Sequence, residues 1–206
     1  MDYNYLVKVV VIGDSGVGKT SLCDNYIYKK TPCSDPTPTI GVEYFTKIED
    51  MGDIKLKLNI WDTAGQERFS SICRSYYRHS VCALVCFRLN SLLSFDNVNK
   101  HIKSLHSCIY PPPHIALIGT FSDDILNRAV QEDDINDICE KYSIKYYETS
   151  AKNGSNVNNT FKDICVDITD KIYNGTITVK ENNPKNVIPE DISINIDKHF
   201  TCCILL

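Results

Sequence analysis

The segment Gly13-Asp14-Ser15-Gly16-Val17-Gly18-Lys19-Thr20 stands between the apolar run Leu6-Val7-Lys8-Val9-Val10-Val11-Ile12 and a helical pattern that begins at Lys19 and fades near Tyr28. Its spacing is G-x-x-x-x-G-K-[ST], a phosphate-binding loop when a strand leads in and a helix leads out. Glycines permit a backbone path on which successive N–H groups converge on phosphate oxygens, and the helix N-terminus adds its partial positive charge. Asp14, Ser15, Gly16, Val17, Gly18 and Ser21 are therefore expected to line a nucleotide's phosphates. Lys19 is expected to reach the β- and γ-phosphates, and the Thr20 hydroxyl to ligate Mg²⁺.

Working outward, residues 43–49 and 54–61 read as strands joined across Asp50-Met51-Gly52-Asp53, a turn-forming stretch. Residues 81–89, 114–119 and 145–149 read as three further strands, and 94–108, 132–142 and 156–173 as helices. In the last of these Val157, Phe161, Ile164, Ile168 and Ile172 recur at steps of three and four, which places them on one helix face. Strands alternating with helices predict an α/β fold, a six-stranded, mostly parallel sheet with helices on both faces. Ligands on such sheets bind at the carboxyl ends of the strands, where the loops are. The domain is expected to span residues 1–175, and 176–206, rich in Asn, Pro, Asp and Lys without a sustained period, to form a flexible tail.

The chain has 206 residues, 43% of them hydrophobic and 23% charged, enough to bury the core of one domain. With 22 basic against 26 acidic residues it carries a net charge of −4, which argues against nucleic acid as a partner. No apolar run approaches the ~20 residues of a membrane-spanning helix. Met1-Asp2-Tyr3-Asn4 lacks the basic and apolar regions of a secretory signal, so the protein is expected in the cytosol. Ten cysteines are spread along the chain, several in strand (Cys82, Cys86) or helix patterns (Cys108, Cys139, Cys165). They read as reduced thiols serving as small core residues.

A second constellation, Trp61-Asp62-Thr63-Ala64-Gly65-Gln66-Glu67, follows an apolar strand. At a strand's end behind a phosphate loop, Asp62 suits Mg²⁺ held through water, and Gly65 can offer its N–H to a γ-phosphate. Gln66 is the candidate catalytic residue, orienting the attacking water. Together with Thr39-Ile40-Gly41-Val42-Glu43-Tyr44, Ser70-Ser71-Ile72-Cys73-Arg74-Ser75-Tyr76-Tyr77-Arg78 and Glu148-Thr149-Ser150-Ala151-Lys152, these motifs resemble the Rab branch of the Ras superfamily over residues 5–173.

The resemblance implies a P-loop NTPase G domain that binds GTP and GDP with Mg²⁺. It implies that Thr39 joins the metal and meets the γ-phosphate only in the triphosphate state, and that Ser150, Ala151 and Lys152 form the last guanine-binding loop. It also implies slow GTP hydrolysis that an activating protein accelerates, control of vesicle traffic, and as partners an exchange factor, a GTPase-activating protein, a GDP-dissociation-inhibitor or escort protein, and effectors.

Three stretches depart from that pattern. Thr120-Phe121-Ser122-Asp123 stands where the family carries Asn-Lys-x-Asp. Asp123 still offers a carboxylate to guanine N1 and N2, whereas adenine has no donors there. Thr120 has one hydroxyl in place of an amide, and Phe121 has no donor at all. Either base preference and affinity are altered, or Asp123 and the Ser150-Ala151 backbone carry recognition alone. Thr31-Pro32 occupies the stretch where the family often flanks the base with an aromatic, for which Tyr28 is a candidate substitute. Phe87-Arg88-Leu89-Asn90 replaces Tyr-Asp-x-Thr, with an expected effect on partners.

The chain ends Cys202-Cys203-Ile204-Leu205-Leu206. Cys203 heads a C-a-a-X sequence of the geranylgeranyl kind, and Cys202 offers a second lipid site. Two lipids give stable anchoring where one is marginal. Lys180, Lys185 and Lys198 are scattered among acidic residues, so targeting would depend on prenyl groups and proteins rather than on membrane charge. The expected location is the cytoplasmic face of a membrane, with a cytosolic pool. A different functional class stays open: a scaffold that recruits effectors while holding nucleotide without useful turnover.

Overall fold

The apolar run ahead of the phosphate loop is strand β1 (Tyr5–Ile12), and it sits at the middle of the sheet. A computed structural model describes residues 2–33, 39, 41–63 and 76–182 of the chain. Alternate residues of β1 face opposite ways, as the period of two demands. Val7, Val9 and Val11 enter one hydrophobic core and Val10 and Ile12 the other. A strand buried on both faces needs an almost unbroken apolar sequence, and that is what residues 6–12 supply.

Strands β2 (Val42–Asp50), β3 (Lys55–Thr63), β4 (Cys82–Arg88), β5 (His114–Thr120) and β6 (Lys145–Glu148) complete the order β2-β3-β1-β4-β5-β6. All pairings along it are parallel except the β2–β3 hairpin. The first core is closed by helices α1 (Lys19–Tyr28) and α5 (Val157–Tyr173), where the Tyr26 ring stacks on Phe161 with centroids 3.7 Å apart. On the opposite face lie α2 (Leu92–Asp96), α3 (Val98–Cys108) and α4 (Glu132–Tyr142), anchored by Phe95, Ile102, Leu105, Ile135 and Ile138. Thus the α/β, mostly parallel architecture with helices on both faces holds.

Two details differ from the sequence reading. The single helix expected over 94–108 is two, divided at Asn97. Ser91 caps the first piece by accepting the Ser94 N–H, and the Asn97 side chain is drawn to Asp14. Beyond residue 175 the chain folds back as β7 (Lys180–Glu181), antiparallel to the start of β1. Ile177 packs against the first core, and the Asn182 N–H donates to Asn4 O at 2.8 Å. Cys23, Cys82, Cys86 and Cys165 are buried free thiols, and burial pushes Cys86 and Cys165 up to about 12, as unreactive core residues. Among the described residues no helix is long and apolar enough to cross a membrane.

Candidate nucleotide site

The phosphate loop turns immediately after β1 because Gly13 allows it. Its φ is +144°, and a Cβ there would lie 2.2 Å from the Cys86 carbonyl oxygen. Gly16 and Gly18 also have positive φ, and Gly18 is the residue from which α1 starts. The Lys19 ammonium curls back over this loop and donates to Gly13 O at 3.0 Å and Asp14 O at 2.8 Å. A cation fixed above a ring of backbone amides at a helix N-terminus is an anion site. The Asp14 side chain takes no part in it: its carboxylate is held by Asn97 Nδ2 and His101 Nε2, each at 2.8 Å.

Beside the lysine three oxygen-bearing side chains from distant parts of the chain converge. The Thr20 hydroxyl donates to Asp62 Oδ2. With that proton committed, the Thr39 hydroxyl is the donor across the 2.7 Å separating it from Thr20. Asp62 is fully buried near the end of β3, and its Oδ1 has no hydrogen-bond partner. Burial raises its pKa to about 6, against the opposing pull of the Thr20 hydrogen bond and the Lys19 charge. A buried carboxylate with an unused oxygen next to two hydroxyls fits a hard divalent cation, which takes oxygen ligands and often keeps water between itself and a carboxylate.

A cavity of about 570 Å³ runs from this cluster to the ends of β5 and β6. Ser15, Gly16, Lys19, Thr20, Ser21 and Thr39 line its phosphate end. Its other end is lined by Phe121, Asp123, Ala151 and Lys152. Asp123 is oriented by Ser150, whose hydroxyl donates to Oδ1 at 2.6 Å, and Lys152 Nζ lies 3.6 Å from Oδ2. The pocket thus has a cationic, amide-lined end and an acceptor-bearing, partly aromatic end, the polarity of a nucleoside polyphosphate.

Some expectations are corrected. Tyr28 is 65% exposed, with its ring 6.2 Å from that of Phe45, and it does not line the cavity; Pro32 and Cys33 do. Thr120 does more than its single hydroxyl suggested: Oγ1 lies 2.7 Å from Val17 O and 2.8 Å from Phe87 O, tying the phosphate loop to the end of β4. Asn25 escaped the sequence reading altogether. Buried within α1, it donates to Ala151 O at 2.9 Å and so fixes the last loop. Its one signal was a polar residue standing between Cys23 and Tyr26, which are buried with it. Gly65, Gln66, Cys202 and Cys203 lie outside the described residues.

The chain is similar in sequence to known proteins. A family model described as the Ras family matches residues 8–170. Ras-related protein YPTC6 of Chlamydomonas reinhardtii is 34% identical over 96% of this chain and 91% of its own length. Ras-related protein RABA1c of Arabidopsis thaliana is 40% identical over 81% and 77%. Ras-related protein Rab-11B of Dictyostelium discoideum is 35% identical over 98% and 94%.

Proposed function

The chain belongs to the Ras family, among its Rab small GTPases, and from that premise we propose a membrane-anchored switch that cycles between GTP and GDP to control vesicle traffic. The observation that carries the proposal is the two-ended cavity, with Lys19, Thr39 and Thr20, itself bonded to Asp62, at one end and Asp123, held by Ser150, at the other.

In this reading GTP lies along the cavity with its phosphates on the amides of residues 14–21. Lys19 leaves its loop carbonyls for the β- and γ-phosphate oxygens and offsets the negative charge there. Thr20, Thr39 and Asp62 would hold Mg²⁺, which when bound would offset negative charge on the phosphates. Gln66 orients the attacking water, and Gly65 offers its N–H to the γ-phosphate. Chemistry of this kind asks the protein for placement and charge rather than covalent participation. Thr39 would be the sensor, since the contacts expected of it are ones that only the triphosphate state offers and that hydrolysis would remove. Guanine is read by the Asp123 carboxylate and the backbone of Ser150 and Ala151. Prenyl groups on Cys203 and Cys202 hold the protein to the cytoplasmic face of a membrane, and an escort protein maintains a cytosolic pool. An exchange factor, an activating protein and effectors complete the cycle.

Competition of GTP, ATP and XTP against a ribose-labelled GDP tests the base reading: GTP should displace it best, and equal displacement by ATP would sink the guanine claim. The replacement of an amide and a lysine by Thr120 and Phe121 favours a second reading, a nucleotide-loaded scaffold without useful turnover. Phosphate release in a single turnover, with and without a Rab activating protein, separates the two.

A further inference from the structure

Two of the places where this chain departs from the Rab pattern are in contact. Arg88 ends β4 and Phe121 follows β5, and the two strands finish side by side with Arg88 in register with Thr120. The Arg88 guanidinium carbon lies 4.2 Å from the centroid of the Phe121 ring, over one of its faces. The ring edge meets the phosphate loop, where a Cβ on Gly18 would come within 3.3 Å of Cε2. Phe121 also holds a φ of +60°, a left-handed conformation that a residue with a β-carbon adopts only where its surroundings over-determine it.

Arg88 is itself fixed. Its Nε donates to Asn90 Oδ1 at 2.9 Å, and Asn90 donates to Asp124 Oδ2 at 2.6 Å. Asn127 donates to the other oxygen of Asp124 at 2.7 Å. The Arg88 backbone N–H donates to Ser94 Oγ at 3.0 Å. Phe121 lines the cavity and Arg88 does not, so the guanidinium lies behind the ring rather than on a ligand's path. An arginine over an aromatic face holds the ring through cation–π attraction, and a lysine does so less well.

We propose that Arg88 is a positioning residue for nucleotide retention: it clamps the Phe121 ring against Gly18 so that the free part of the ring forms the wall on which the nucleobase rests. The position where the family presents a lysine to the nucleotide here presents an aromatic surface, and the cation stands one layer further out, on the neighbouring strand. The inference rests on the nucleotide-site reading given above and adds to it which residue sets how long the base stays.

The test uses the full-length chain and ribose-labelled GDP, with dissociation followed after chase by excess unlabelled GDP. Arg88→Ala and Arg88→Gln are each expected to release the label about 3- to 30-fold faster, the range of a cation–π contact partly shielded from water. Glutamine keeps the reach and an N–H for Asn90, so it guards against loss of fold in the alanine variant. Arg88→Lys should fall between them and the wild type. Inorganic pyrophosphate, which has no base, should inhibit labelled-GDP binding with the same constant in all four proteins. In a Phe121→Leu background, Arg88→Gln should add less than about 2-fold, because the ring it positions is gone. Equal weakening of GDP and pyrophosphate, or an Arg88 effect that persists without the ring, overturns the inference. A wild-type protein that binds pyrophosphate but retains no GDP overturns the nucleotide reading itself, and the inference with it.

Discussion

Asp62 carries the largest electrostatic tension in the site. Its folded pKa of about 6 stands above that of an unfolded aspartate, so between about pH 4 and 6 the folded chain binds more protons. Stability of the metal-free protein is therefore expected to fall as pH rises through that window, by up to about 3 kcal/mol from this one group. Asp62→Asn should flatten the profile, and thermal unfolding of both proteins from pH 4 to 7 measures the difference. On the proposed metal role of Asp62, protons would compete for that carboxylate, and Mg²⁺ binding should weaken below about pH 6. Gly13 illustrates a different kind of constraint. Gly13→Ala forces a Cβ into the Cys86 carbonyl at a backbone angle that L-residues avoid, and the loop must move. A loss of about 2 kcal/mol or more in chemical denaturation is expected, together with lost nucleotide binding. The phosphate-loop glycines were legible in sequence because only glycine answers such a demand. Asn25 was not, since a polar residue in a helix gains a meaning only from what lies opposite it.

At the scale of elements, the site depends on loops being tied to one another at the strand ends. Thr120 links the turn after β1 to the end of β4, and Asn25 links α1 to the loop after β6. Thr120→Val keeps shape but removes the shared hydroxyl from two buried carbonyls, which should cost about 1–2 kcal/mol and speed nucleotide release. Asn25→Ala strips the donor from Ala151 O, although Asn25 itself does not line the cavity. It should weaken GDP several-fold, read by isothermal titration, and lower stability by about 1 kcal/mol. Element boundaries followed the apolar periods closely: α4 spans Glu132–Tyr142, the stretch whose pattern predicted it. The division at Asn97 was invisible, because its cause is tertiary. Phosphate-loop Asp14, 83 positions away, receives the Asn97 amide at 2.8 Å.

For the whole molecule, the sheet is longer in sequence than its periodicity suggested. Ile177 closes an edge of the first core and Lys180–Glu181 pair with β1. Ile177→Ala should lower stability by about 1 kcal/mol, measurable by urea denaturation and unconnected with nucleotide affinity. Membrane attachment is expected to act independently of the fold: replacing Cys202 and Cys203 by serine should move the protein to the cytosol at unchanged thermal stability, as fractionation and melting would record. By itself the sequence determined the α/β architecture and the phosphate loop, because unbroken apolar strands and obligatory glycines are local demands with few alternative answers. The position behind the phosphate loop pointed to Asp62, and the resemblance to the Rab pattern pointed to Thr39 and Asp123, two residues that line one cavity with Asp62 bonded to Thr20 beside it. Only the tertiary structure decided that Arg88 lies on Phe121, that Thr120 and Asn25 brace the loops, and that Tyr28 stands aside. Those relations join residues 33 to 126 positions apart, and such a contact leaves no period or motif in the chain; it exists only once parallel strands bring their ends together.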